Sequence, residues 1–280
     1  MEQPSDCFSS AENRPQLPST GISYDTAGST YTEDFDSGLP SGAATPEWND
    51  GSAPPPGPTT PGPTFTGWYA YQTATSGAPT NYRITSSGNS TESHLYQWRS
   101  SASASDGALG TRPYSGTGDM MLGLNLVNNT GATLTEFTLG YTGEQWFESE
   151  TAQSNQFVVS YQIGMVANLD SGSWTEIPDL EFTSLHNSGV AENLNGSLPQ
   201  NQSVLSSVTV SDIVWAEGSE LWIRWFHDDD TEAFDHGMAI DDVSFTAAVP
   251  EPEQFAGLLG LGSLAIAFLR RPRRSNKQLS

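Results

Sequence analysis

The chain has 280 residues, of which 33 are aspartate or glutamate and ten are lysine or arginine, giving a formal net charge of −23 at pH 7. Five of the ten cations, Arg270, Arg271, Arg273, Arg274 and Lys277, crowd into the last eleven residues, so that before Val249 only Arg14, Arg83, Arg99, Arg112 and Arg224 oppose 31 acids. Such a surface repels phosphates and excludes a nucleic-acid partner, and the one cysteine, Cys7, excludes an intrachain disulfide framework or a cysteine-based zinc cluster.

Met1 to Ser10 reads MEQPSDCFSS, without the charged and apolar regions of an export signal. Either the true start lies upstream of the one given, the segment is a remnant, or the protein stays inside; the first is expected, because the other end of the chain is so informative, and residues 1–30 are expected to be disordered. A first short strand follows at Tyr31 to Phe35. The stretch 43–63, with Pro54-Pro55-Pro56-Gly57-Pro58 and Pro61-Gly62-Pro63, cannot join a sheet interior because proline lacks the ladder donor, and it is expected to be a surface loop. A linker between two domains competes with that reading, but the strand before it is too short to stand alone. Further along, hydrophobic residues alternate with a period of two: Met120, Leu122, Leu124 and Leu126; Phe137, Leu139 and Tyr141; Phe157, Val159, Tyr161 and Ile163. Val204 to Val210 and Ala239 to Thr246 add strands, and Leu221 to Phe226, apolar on both faces apart from Arg224, reads as a central one. Turns are expected at Asn129-Thr130-Gly131, Ser171-Gly172 and Glu217-Gly218. The expectation is a mainly β protein, one antiparallel β-sandwich over 31–248, followed by a single C-terminal hydrophobic helix.

That helix closes a tripartite tail, 249–274: Pro250-Glu251-Pro252, an uncharged stretch from Phe255 to Leu269, then Arg270, Arg271, Arg273 and Arg274 around Pro272. Proline fixes φ and biases its predecessor toward extended backbone, which suits an accessible hinge. Fifteen helical residues span about 22 Å at ~1.5 Å each, marginal for a bilayer core of about 30 Å. The arginines behind them act as a stop-transfer signal and leave the acidic body on the far side. These 26 residues resemble the PEP-CTERM sorting signal of exported bacterial proteins. The resemblance implies an exosortase-type membrane transpeptidase as partner, cleavage near the motif, a membrane-anchored precursor, and delivery to the envelope or extracellular matrix of bacteria that make exopolysaccharide.

The body resembles, in its order of landmarks, a jelly-roll-type domain common among such exported proteins and distantly similar to carbohydrate-binding and MAM-like sandwiches. The landmarks include Glu33-Asp34-Phe35-Asp36, Gly67-Trp68-Tyr69-Ala70, Tyr141-Thr142-Gly143-Glu144-Gln145-Trp146 and Asp235-His236-Gly237-Met238-Ala239-Ile240-Asp241-Asp242-Val243. The likeness implies first and last strands side by side and no catalytic set.

Alternation places Ala239, Asp241, Val243 and Phe245 on one face of the last strand, and Tyr31, Glu33 and Phe35 on one face of the first. A carboxylate among apolar neighbours needs a partner, so Glu33, Asp241 and Asp242 are candidate ligands of a structural Ca2+; backbone amides or Arg224 are the alternative partners. Asp228-Asp229-Asp230 with Glu232 and Asp235 lacks the spacing of an EF-hand loop and reads more simply as a solvated acidic loop. His94, His186, His227 and His236 form no zinc pattern, and no GxSxG elbow occurs. The expectation is therefore a structural, non-enzymatic surface protein. The second hypothesis is binding of an envelope or extracellular polysaccharide through aromatics drawn from Trp48, Trp68, Tyr69, Trp98, Trp146 and Trp174, with Trp222 or Trp225 in the core. A glycosidase ranks last, because it needs convergent carboxylates at a fixed separation.

Overall fold

The computed structural model describes residues 21–51, 65–86, 94–230 and 235–249. Ala248 closes one compact unit, and Val249–Ser280 form a second, of which all but Val249 lies outside the described residues. The expected sorting motif, tail helix and arginine cluster therefore fall outside them too. Among the described residues no helix is long and apolar enough to cross a membrane.

The strands in chain order are β1 (Ile22–Tyr24), β2 (Thr30–Glu33), β3 (Trp68–Gln72), β4 (Arg83–Thr85), β5 (Leu95–Trp98), β6 (Ala108–Thr111), β7 (Met120–Asn128) and β8 (Glu136–Glu148). They continue with β9 (Gln156–Ile163), β10 (Thr175–Glu176), β11 (Phe182–Thr183), β12 (Glu192–Asn193), β13 (Gln202–Val210), β14 (Glu220–His227) and β15 (Gly237–Ala248). One sheet runs β1-β7-β14-β9-β10, with β3 also on β7 and β11 on β9; the other runs β12-β8-β15-β6-β5-β4, with β13 on β8 and β2 on β15. Single apolar core residues come from both sheets, which makes the body a β-sandwich.

The alternation expected for β7 survives: Met120, Leu122, Leu124 and Leu126 all enter that core, as do Phe137, Leu139 and Tyr141 from β8. Each such aliphatic side chain, fully buried, contributes about 1.5–3 kcal/mol. β14 lies between β7 and β9 and is apolar on both faces for a visible reason. Leu221, Ile223 and Trp225 face the core, while Trp222 packs on the outer face with Tyr69, Met121, Val166 and Leu169. The segment after β9 thus roofs that side of the sheet. β2, the strand read from sequence as the first, pairs with the last strand β15, with Glu33 opposite Val243 and Tyr31 opposite Phe245.

Four expectations need correction. Residues 22–24 lie in the stretch read as disordered, yet form β1, whose Ile22 and Tyr24 pack at the core. Two pairs are parallel rather than antiparallel: β1 with β7 and β4 with β5. The beginning of the proline-rich loop is not free surface either, since Ala44 bridges Ile84, Glu47 bridges Asn81, and Trp48 is buried; residues 52–63 of it lie outside the described ones. The fourth concerns β15, where three steps from Asp241 to Ser244 match only two steps on β8. This bulge, with Asp242 at φ 48°, reverses the alternation. Met238 and Ile240 face the core before it, and Val243, Phe245 and Ala247 after it, so Ala239 and Asp241 do not share a face with Val243 and Phe245.

Candidate functional site

The bulge decides where the expected calcium ligands go. Asp241 turns to the outer face of its sheet, diagonal to Glu144, because Asp241 pairs with Thr142 and Ala239 with Glu144. Same-face diagonal neighbours on adjacent strands lie about 7–8 Å apart. Burial pushes the Asp241 carboxyl up to about 9, with the charge of Glu144 adding to it and then those of Asp242 and Asp106. Burial likewise pushes Glu144 up to about 7, although Trp146 Nε1 donates to its Oε2 at 2.7 Å. Glu33 belongs elsewhere: its carboxylate accepts from Phe35 N at 3.2 Å and Tyr31 Oη at 3.5 Å, and the charges that bear on it are those of Asp34 and Asp36. Asp241 accepts from the Asp242 amide at 2.7 Å. Both carboxylates thus take the backbone-amide partners named as the alternative. Among the described residues no group of three or more histidine, cysteine, aspartate or glutamate side chains forms a metal-binding cluster.

The acidic loop after β14 is partly structural. The Asp229 amide donates to Asp119 Oδ1 at 2.9 Å. Asp235 is buried, accepts from Asn155 Nδ2 at 3.0 Å, and is pushed up to about 8 by burial and then by Asp230. His236 is also buried. Its Nδ1 accepts from Ser149 N at 2.9 Å and its Nε2 donates to the Gln153 carbonyl at 2.8 Å, so it serves as a neutral staple between loops. Glu232 lies outside the described residues.

Three guanidinium groups of the body reach backbone carbonyls. Arg99 donates to the carbonyls of Pro40 and Gly42. Arg112 donates to the Asp235 carbonyl at 3.2 Å and lies 3.9 Å over the Phe147 ring. Arg224 donates to the Leu169 carbonyl at 3.0 Å and covers the Trp174 ring at 4.4 Å. Three of the few cations in the body therefore serve backbone acceptors and aromatic faces.

The aromatic platform expected for glycan stacking is not assembled. Trp48, Trp68, Tyr69, Trp98 and Trp146 are all buried. Trp68 stacks on Trp225 at 5.4 Å in the core, and Tyr96, Trp98 and Trp146 form a ladder with ring separations of 4.4 and 6.2 Å. The ladder lies on the outer face of its sheet. There a Cβ at Gly110 would collide with the Trp98 ring and the Met238 carbonyl, so glycine at 110 is what lets the indole lie flat. Trp174 is half-buried under Arg224.

A different place has the shape of a binding site. Beside β3 lies a cavity of about 180 Å³ whose lining includes Asp50, Tyr69, Tyr71, Ser76, Ala78 and Asn168. β3 is an edge strand whose outer backbone groups are met one by one. Gly51 N donates to the Trp68 carbonyl at 2.7 Å, Ala70 N donates to Asp50 Oδ1 at 2.9 Å, and Gln72 N donates to the Gly77 carbonyl at 2.9 Å. Trp48 Nε1 donates to the same Asp50 oxygen at 2.7 Å. Burial pushes the Asp50 carboxyl up to about 6, against the pull of these two donors. Among the described residues both donors end on Oδ1.

No family model matches the chain. No curated protein matches it either. Among solved structures, the K3 cleaved adhesin domain of Lys-gingipain from Porphyromonas gingivalis is 16% identical over 77% of this chain and 97% of that one, with a TM-score of 0.33. TmCBM61 in complex with beta-1,4-galactotriose is 10% identical over 65% and 88%, with a TM-score of 0.28. The CBM22-1–GH10 modules of Clostridium thermocellum xylanase 10B, complexed with xylohexaose, are 12% identical over 66% and 27%, also at 0.28. At these scores the likenesses carry no argument about what this chain does.

Sequence reasoning missed the cavity because its parts are far apart in the chain. The nearest signal is Trp48-Asn49-Asp50-Gly51, where a carboxylate two residues past a tryptophan meets its indole N–H. That local pattern says nothing of Tyr71 or Asn168.

Proposed function

We propose that this chain is an exported cell-surface or exopolysaccharide-associated protein whose jelly-roll-like sandwich is released to the envelope by an exosortase-type transpeptidase. The observation that carries the reading is the order Pro250-Glu251-Pro252, apolar stretch, Arg270 to Arg274 in the sequence. It begins immediately after the compact unit ends at Ala248. A sorting signal must be separable from the domain it delivers, and the boundary lies where that requires. In this reading the segment from Phe255 to Leu269 forms a helix that holds the precursor in the membrane, and the arginines fix its orientation. The protein does no chemistry of its own.

The test is mass spectrometry of the protein's C-terminus after expression in a bacterium that carries an exosortase, with the native upstream region retained. The mature protein is expected to end near residue 250, and replacing Pro250, Glu251 and Pro252 together by alanine is expected to leave most of the chain uncleaved and membrane-bound. An intact chain recovered wholly from the cytosol overturns the proposal.

The second reading is glycan binding, and the cavity beside β3 favours it. A desolvated carboxylate, two tyrosines and an asparagine line a small concave space, and a few polar groups on an otherwise apolar wall are what orients a bound ligand.

A further inference from the structure

We infer that the cavity beside β3 binds a single neutral sugar ring, with Asp50 accepting hydrogen bonds from ring hydroxyls and Tyr71 offering a face to the ring's C–H groups. This assignment rests on the glycan-binding reading and gives it a place. The volume of about 180 Å³ equals some six water molecules at ~30 Å³ each. That is room for one ring, not for a chain running through.

The chemistry of the wall selects the ligand class. Among the described residues both protein donors that reach the Asp50 carboxylate end on Oδ1, which leaves Oδ2 as the acceptor for a ligand. Hydroxyl-to-carboxylate bonds are charge-assisted and among the stronger hydrogen bonds. Tyr71 is 8% exposed and lines the same space, and an aromatic ring there presents an apolar body with a polar tip. Asn168 and Ser76 line the cavity from two further loops; Asn168 Oδ1 accepts from Asp170 N at 3.0 Å, so the Asn168 Nδ2 donor is the polar group it can offer to orient a ring. Charge excludes the anionic sugars: no guanidinium or ammonium group lines the cavity among the described residues, and the net charge of the whole chain is −23.

Asp50 has a structural duty as well, since it caps Ala70 N on the open edge of β3. Its substitution alone cannot separate binding from folding. Ala78 can, because it is exposed and lines the cavity, so that Ala78→Trp fills the space without touching the core.

The experiment titrates the full chain with glucose, galactose, glucosamine and glucuronate and follows the indole N–H resonance of Trp48, which reports on Asp50 directly. Saturable shifts with glucose or galactose, at least tenfold weaker with glucuronate, are expected. Ala78→Trp should abolish them with its melting temperature unchanged, and Asn168→Ala should weaken them severalfold. No saturable shift with either neutral sugar overturns the assignment, as does a shift that persists in Ala78→Trp. Glucosamine binding tenfold tighter than glucose also overturns it, since the cavity would then be an amine site. If the protein is retained on intact exopolysaccharide while the Trp48 resonance stays still, the surface reading stands and this cavity is not its site.

Discussion

Replacing Trp225 by alanine is expected to lower stability by about 3–5 kcal/mol, the range for removing a buried indole. The side chain is wholly inaccessible and joins the two sheets. From β14 it stacks on Trp68 of β3 at 5.4 Å with the rings 28° apart, and it meets the edge of Tyr141 on β8 at 5.8 Å and 89°. Trp68 passes the contact on to Phe35 at 4.8 Å and donates its Nε1 to Tyr31 Oη at 3.0 Å. Little can collapse into the gap, because the neighbours are rigid rings already held by one another. For a domain of this size each kcal/mol moves the melting temperature by about 2–4 °C, so calorimetry should show a fall of roughly 6–20 °C. Trp174→Ala is the internal comparison. Its indole is half-buried and roofed by Arg224, and its removal is expected to cost about 1 kcal/mol. Equal losses for the two variants, or a Trp225→Ala loss below 1 kcal/mol, would mean that the sheets do not meet at this layer.

The contrast between those two indoles marks how far the sequence speaks. Alternation named the inward residues of β7 and the start of β8 because one strand's periodicity is a local property, and the double-sided apolarity of β14 was legible as burial on both faces. The inward face of β15 was not. Its parity depends on an extra residue at Asp241–Asp242, and a bulge is visible only against the partner strand. The tryptophans failed as a binding signal for a related reason. Trp48 and Trp68 fill the interior, while Tyr69, Trp98 and Trp146 are buried on the outer faces under other rings and loops, and composition cannot tell such rings from ones that face solvent. Arg99, Arg112 and Arg224 were legible as scarce cations, yet their partners include carbonyls and ring faces supplied by distant parts of the chain. β1 stayed hidden because three residues, Ile22–Tyr24, show no period of their own. It is the parallel pairing with β7 that makes them a strand.

Moving the pH from 5 to 9 is expected to destabilise the fold, and Asp241→Asn should remove part of that loss. The sign follows from linkage. Asp241 is pushed up to about 9 and Glu144 to about 7, so the folded chain holds protons that the unfolded chain releases near the ordinary carboxylate range of about 4. Stability then falls as pH rises wherever the native state binds more protons, by up to ~1.4 kcal/mol per pH unit for each proton retained. The stabilising contribution is complete below about pH 4 and is lost progressively up to about 9. Asp50 at about 6 and Asp235 at about 8 act in the same direction. The Asp241→Asn amide keeps an oxygen for the Asp242 N–H and has no charge to set against Glu144. It should match the wild type below about pH 4, exceed it in melting temperature by a growing margin up to pH 8–9, and flatten the slope by about one proton. A uniform offset between the two proteins at every pH would show that Asp241 ionises normally. That result would place the side chain in water, not on the buried outer face of β15 beside Glu144 where the bulge turns it.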